Sequence, residues 1–167
     1  MRLGLDIMGG DFAPLEALRG CELARKNIQG IELVLFGDQA VVEQVAAEEG
    51  IDLSAYTIVH CPEVIGMGEH PTKALTQKRE SSISVGFHFL KEHKIDAFIG
   101  AGNTGAMMVG SMFSVKQVEG VFRPAITSIL PKANGGFGLL LDVGANADCK
   151  PDVLYQFAIL GSQFSKY

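Results

Sequence analysis

Short apolar runs alternate along this chain with segments whose apolar side chains recur every three or four positions. Residues 2–5 read as a short strand ending at Asp6. Pro14 suits the first turn of a helix reaching about Lys26, with Leu15, Leu18 and Cys21 along one side. Residues 31–36 form a second strand closed by Gly37, and Asp38 is placed to cap a helix that carries Val41, Val42, Val45 and Ala46 and ends at Gly50. Residues 56–59 give a third strand, and 61–70 a loop. Ser81-Ser82 suits the cap of a helix with Ile83, Phe87 and Leu90 at i, i+4 and i+7. Residues 97–99 are the next strand, followed after Gly105 by a helix carrying Met107, Met108, Ser111, Met112 and Val115. Residues 125–130 and 137–141 pair as a hairpin around 132–136. Pro151 opens a last helix with Leu154, Phe157 and Ala158 on one side.

The order βαβαβ–α–βα–ββ–α predicts an α/β fold with a mostly parallel sheet and helices on both faces. Sites in such sheets lie beyond the strand carboxyl ends. Polar loops leave strands at 6–11, 100–105 and 142–146.

Composition narrows the function. At 167 residues, 47% hydrophobic and 20% charged, the chain is expected to form a single soluble α/β domain over 1–167. A net charge of −5 argues against nucleic acid as a partner, because a phosphate backbone requires a basic face. Cys21, Cys61 and Cys149 lack metal-ligand spacing, as do His60, His70, His88 and His93, so no metal site is expected. The three thiols read as reduced, in a cytosolic protein. No apolar stretch reaches the roughly 18 residues of a membrane span, and no signal peptide is expected.

Gly100-Ala101-Gly102-Asn103-Thr104-Gly105-Ala106 carries the most chemistry. A glycine turn between strand and helix exposes backbone N–H groups at the positive end of the helix dipole, which attracts phosphate. The loop also matches G-x-G-x-x-G/A, but it follows the fourth strand and no strand ends at an acidic residue about 20 positions later, so nicotinamide is disfavoured. Asn103 and Thr104 suit holding phosphate or polarising a carbonyl; a purely structural turn explains them too. Asp6-Ile7-Met8-Gly9-Gly10-Asp11 sets two carboxylates around a glycine turn, where Asp11 either caps a helix or serves the site. Lys73, Lys78, Arg79, Ser81 and Ser82 form a basic run leading into two hydroxyls, suited to an anion or to a solvated helix face. Asp142 ends a strand and precedes Asn146, Asp148 and Lys150, of which Asp148 and Lys150 also suit a helix start.

Together these motifs resemble the PlsX-type phosphate acyltransferases, which make acyl phosphate for bacterial phospholipid synthesis. The resemblance rests on Asp6-Ile7-Met8-Gly9-Gly10-Asp11-Phe12-Ala13-Pro14, residues 71–82, the 100–106 loop, Arg123-Pro124-Ala125 and residues 141–151, in order over essentially the whole chain. It implies a three-layer α/β/α fold like that of the isocitrate and isopropylmalate dehydrogenases and the phosphotransacetylases. It implies attack of inorganic phosphate on the thioester of a long-chain acyl carrier protein, with no metal or organic cofactor. Members are typically homodimers, cytoplasmic or loosely attached to the membrane. Asn103, Thr104, Asp6 and Asp142 are the expected catalytic residues. Gly9, Gly10, Asp11, Lys73, Lys78, Arg79, Ser81, Ser82, Gly102, Gly105 and Asn146 are the expected phosphate and substrate contacts. Thr76 and Gln77 stand where the family often has arginines. Family members run to about twice this length, so the chain is expected to be an N-terminal half. Two alternatives stay open: a nicotinamide-dependent dehydrogenase of the same fold, and a non-catalytic module that dimerises or binds acyl carrier protein.

Overall fold

A computed structural model describes residues 1–146 and 148–166. Contacts divide the chain into two compact units, Met1–Val115 and Lys116–Tyr167. The first contains β1 (Arg2–Asp6), α1 (Leu15–Asn27), β2 (Glu32–Gly37), α2 (Gln39–Glu49), a 3-10 turn (Leu53–Ala55), β3 (Thr57–His60), α3 (Pro71–Gln77), α4 (Ser82–Lys91), β4 (Ala97–Gly100) and α5 (Thr104–Ser114). The second contains β5 (Thr127–Pro131), β6 (Phe137–Leu141) and α6 (Pro151–Phe164).

In the first unit four strands pair in parallel in the order β3-β2-β1-β4. Strand parity sorts the core into two faces. Leu3, Leu5, Leu33 and Leu35 pack with Leu18 and Cys21 of α1 and Val42 of α2. Val34, Phe36 and Phe98 point the other way, against Val85 and Phe89 of α4. Ile83 and Phe87 extend this second layer to Ala74 of α3 and Ala106 of α5. Helices thus cover both faces of a parallel sheet, as the element order predicts, in the three-layer α/β/α arrangement that the resemblance implies. Phe36 anchors the second face, fully buried, with edge-on contacts to Phe89 at 5.1 Å and Phe98 at 5.7 Å. Burying such a ring contributes about 2–3 kcal/mol.

Local signals act as expected at most boundaries. The Asp38 carboxylate accepts hydrogen bonds from the N–H groups of Ala40 and Val41, and Gly50 closes α2 in the left-handed region. Ser81 caps α4 by accepting from Ser84 N–H. Three details differ. α3 is an additional short helix within the basic run. α1 has Pro14 at its N-cap position with no side-chain cap, so Asp11 does not cap it. On α5 the buried stripe is Ala106 and Gly110, while Met112 and Phe113 are exposed. Small residues face inward there because Phe87 lies where a Gly110 side chain would stand, 2.6 Å from Cε2.

The second unit is an antiparallel β5–β6 hairpin and a helix. The turn closes by a bond from Lys132 N–H to Gly136 O, with Gly135 at φ 83°. α6 buries Val153, Phe157 and Gly161, whereas Leu154, expected inside, is exposed. Gly161 decides that rotation: a Cβ there would lie 2.7 Å from Leu141 Cδ1, so the helix approaches β6 through its smallest residue.

Candidate functional site: two glycine loops at the sheet switch point

After β1 the chain builds β2 and β3 outward on one side, then returns to add β4 on the other. The β1–β4 boundary is therefore the topological switch point, where open α/β sheets bind ligands beyond their strand carboxyl ends. Asp6 and Gly100 are register partners at that boundary. The loops that follow them, 7–14 and 101–103, emerge side by side.

Three glycines let the loops close around the Asp6 carboxylate. A Cβ on Gly9 would stand 2.6 Å from Gly102 N and 2.7 Å from Gly102 Cα, which real side chains do not tolerate. A Cβ on Gly102 would lie 3.0 Å from Asp6 Oδ2, and one on Gly100 3.2 Å from Asp6 Cβ. Asp6 is buried, at 4% exposure. Burial raises its pKa above the ordinary aspartate range, while hydrogen bonds from the Ser82 side chain and from the N–H groups of Met8 and Gly9 pull it back. Met8 N–H lies 3.1 Å from Oδ1. Asp6 thus fastens the first loop and faces the start of α4, with the second loop packed against it.

Beside this knot lies a cavity of about 300 Å³ bordered by Gly9, Gly10, Asp11, Phe12 and Ala101. Gly10 adopts φ 107°, a conformation glycine reaches without strain. A larger hollow of about 660 Å³ lies near the start of β4, lined by Ile95, Asp96, Ala97 and Phe98. It is at the amino end of the sheet, away from both glycine loops.

α5 starts at the same place. The Asn103 Oδ1 accepts from Ala106 N–H at 3.0 Å, and the Asn103 carbonyl takes Met107 N–H. The N–H groups of Thr104 and Gly105 belong to the helix end that has no intrahelical acceptor, and the helix dipole adds positive potential there. Thr104 is exposed, while Gly105 packs against Pro71, the first residue of α3. The Asn103 amide nitrogen donates to the carbonyls of Gly66 and Glu69, each at 3.0 Å, with Met67 O at 3.4 Å. An amide carries two N–H donors, so these acceptors already occupy them. Asn103 therefore shapes the loop, and among the described residues the N–H groups of Thr104 and Gly105 have no hydrogen-bond acceptor.

The basic run separates in three dimensions. Lys73 and Arg79 are exposed, whereas Lys78 Nζ is paired with Glu69 Oε1 at 2.5 Å and with Val64 O at 2.7 Å. Ser81 is occupied as the α4 cap, and Ser82 faces Asp6. The second unit holds Asp142 and Asn146 in a cluster of its own. Asp142, at φ 62°, accepts from the N–H groups of Ala145 at 3.2 Å and Asn146 at 3.0 Å. Asn146 Nδ2 donates to Asp142 Oδ1 and Pro124 O, both at 3.2 Å. Glu69 and the 64–69 loop were not singled out from sequence; their only cue was Pro71, whose position announces a helix start. Among the described residues no cluster of three or more His, Cys, Asp or Glu is placed to hold a metal ion.

The family described as "Fatty acid synthesis protein" matches residues 1–167. The chain belongs to that family. It is 43% identical over 166 residues to a phosphate acyltransferase of Thermoanaerobacterium thermosaccharolyticum, covering 99% of this chain and 48% of that protein. It is 44% identical over 167 residues to a phosphate acyltransferase of Desulforamulus reducens, covering 49% of that protein. The chain thus spans about half the length of the curated relatives it matches. Among solved structures its fold is shared by a phosphotransacetylase from Streptococcus pyogenes (TM-score 0.67) and the EutD phosphotransacetylase from Staphylococcus aureus (TM-score 0.62). Each is 14% identical and matches 95% of this chain and 51% of the other.

Proposed function

We propose that the protein carrying this chain is a phosphate acyltransferase that moves a fatty acyl group from acyl carrier protein to inorganic phosphate. The observation that carries the proposal is the convergence of the β1 and β4 glycine loops, with the open first turn of α5, in a member of this family. Open N–H groups at a helix start suit phosphate. A phosphate oxygen attacks the thioester carbonyl carbon, the carbon–sulfur bond breaks, and the carrier-protein thiol departs. A thiol with an ordinary pKa of about 8.5 leaves readily, so the protein contributes mainly position and charge stabilisation. That chemistry requires neither a metal nor an organic cofactor.

In this reading the loop N–H groups and Thr104 hold phosphate or the thioester oxygen. Lys73 and Arg79 attract the anions from the surface, and Asp6 sets the two loops in register. Asp142 and Asn146 brace the second unit's strand-end loop. In the same reading the working enzyme is a cytoplasmic homodimer with peripheral membrane contact. Among the described residues no helix is long and apolar enough to cross a membrane. A nicotinamide site is less well supported, because the G-x-G-x-x-G run leaves β4, whereas the dinucleotide fingerprint opens the first βαβ unit.

The test is formation of acyl phosphate from palmitoyl-acyl carrier protein and phosphate, trapped with hydroxylamine, together with a phosphate titration of the same chain. Phosphate-dependent hydroxamate is the expected result. A folded chain that neither turns over nor binds phosphate overturns the site assignment. A chain that binds phosphate without turnover places essential groups elsewhere in the full-length enzyme.

A further inference from the structure

The loop between β3 and α3 is tied from two directions, and neither tie was expected from sequence. From the α5 side, Asn103 Nδ2 reaches the carbonyls of Gly66 and Glu69 at 3.0 Å each. From the α3 side, Glu69 Oε1 accepts from Gly66 N–H at 2.6 Å and from Lys78 Nζ at 2.5 Å, and Lys78 also donates to Val64 O at 2.7 Å. The same Asn103 side chain caps α5 at Ala106. Lys78 and Gly66 together hold the Glu69 carboxyl below its ordinary range, so it stays charged at neutral pH.

We propose that Glu69 is a positioning residue for the anion site: with Lys78 it braces the 64–69 loop, which holds Asn103, which in turn sets the first turn of α5. The proposal rests on reading that turn as the phosphate site. It reassigns Lys78. Two of its three donors are occupied by Glu69 and Val64, so its charge stabilises the loop. The competing assignment makes Lys78 an anion ligand that Glu69 restrains. The two assignments give opposite signs. If Lys78 is a brace, removing the Glu69 carboxylate loosens the α5 start and weakens phosphate binding. If Lys78 is a restrained ligand, the same change frees its charge and tightens binding.

The experiment measures amide hydrogen exchange at Ala106 and a titration with inorganic phosphate, both by NMR, for the wild-type chain, Glu69→Ala, Glu69→Gln and Lys78→Arg. Ala106 exchange is expected to rise about tenfold in Glu69→Ala, the size of a local opening rather than of global unfolding. The phosphate dissociation constant is expected to rise about threefold or more, a change suited to a partly exposed ion pair. Glu69→Gln, which keeps an acceptor for Gly66 N–H, falls between; it also carries the test if the alanine variant fails to fold. Lys78→Arg preserves both readouts. Unchanged Ala106 exchange, or tighter phosphate binding in Glu69→Ala, overturns the proposal. If the wild-type chain binds no phosphate, the proposed function falls while Ala106 exchange still decides whether the brace exists.

Discussion

Asp6 and Asp142 each stand where a β-strand gives way to a glycine-containing loop, yet the fold puts them to different uses. Asp6 ends a strand flanked on both sides, by β2 and β4, and is buried under loops from two strands. Asp142 follows a strand of a two-stranded hairpin, stays half-exposed, and bonds mainly to its own loop. Burial raises the pKa of Asp6, and the positive φ of 62° at Asp142 marks a turn held by its own side chain. One sequence cue therefore produces an inter-loop knot in one place and a self-contained turn in the other. The number of neighbouring strands is what differs.

The strongest way to break the contrast is to fill the knot. Gly9→Ala drives a methyl into Asp6 and the Gly102 backbone, and should cost about 3 kcal/mol in chemical denaturation, as overpacking does. A loss below about 0.5 kcal/mol, the range of neutral surface changes, would mean the loops are not closed as described. Next, Asp6→Ala leaves the part-buried N–H group of Met8 without its acceptor and removes the carboxylate that Ser82 faces, costing about 2 kcal/mol. Asp142→Asn, which tolerates the left-handed region and keeps one acceptor, should stay within about 0.5 kcal/mol. Equal losses at the two sites would erase the distinction.

A smaller effect comes from pH. The unfolded chain titrates Asp6 at an ordinary carboxylate value, whereas the folded chain binds that proton at higher pH. Between those two values the native state holds more protons, so the charge penalty of Asp6 is full above the folded pKa and fades as pH falls toward about 3.9. The stability of the wild-type chain relative to Asp6→Asn should therefore improve as pH drops through that window. A flat difference across the range would show that Asp6 is not desolvated.

The cysteines sharpen the comparison with the least perturbation. Cys61, buried and near Asp6, has its thiol pushed up to about 12 by burial and then by the Asp6 charge; Cys21 is pushed up to about 11. Cys149 is only half-buried, 4.0 Å from Asp142 Oδ2. Iodoacetamide followed by mass spectrometry should label Cys149 first, with Cys21 and Cys61 reacting only on unfolding. Early labelling of Cys61 would place Asp6 in a more open setting.

Much of this was legible beforehand. Asp38, Gly50 and Ser81 mark helix ends by backbone chemistry that depends on a few neighbouring residues, and the alternation of apolar runs with helical spacing indicated a parallel α/β sheet. Family motifs pointed to both glycine loops. The short helix α3 was missed because seven residues carry too little periodicity to stand out from a charged loop. Met112 and Leu154 were expected to be inward by hydrophobicity. They lie outside because close helix approach at Gly110 and Gly161 selects a stripe of small residues. Asn103 was chosen for its chemistry, but no local pattern could show that its donors reach a loop more than thirty positions earlier in the chain.

By itself, then, the sequence determined the strand and helix order, most caps, and the two loops that carry the candidate chemistry, because each depends on interactions between near neighbours. Tertiary structure alone decided which of those polar groups remain open. Asp6, Asn103 and Lys78 all look like ligands in one dimension. In three dimensions each is held by partners from other segments, because a buried or half-buried polar group must be satisfied within the fold and the chain's topology chooses the partner.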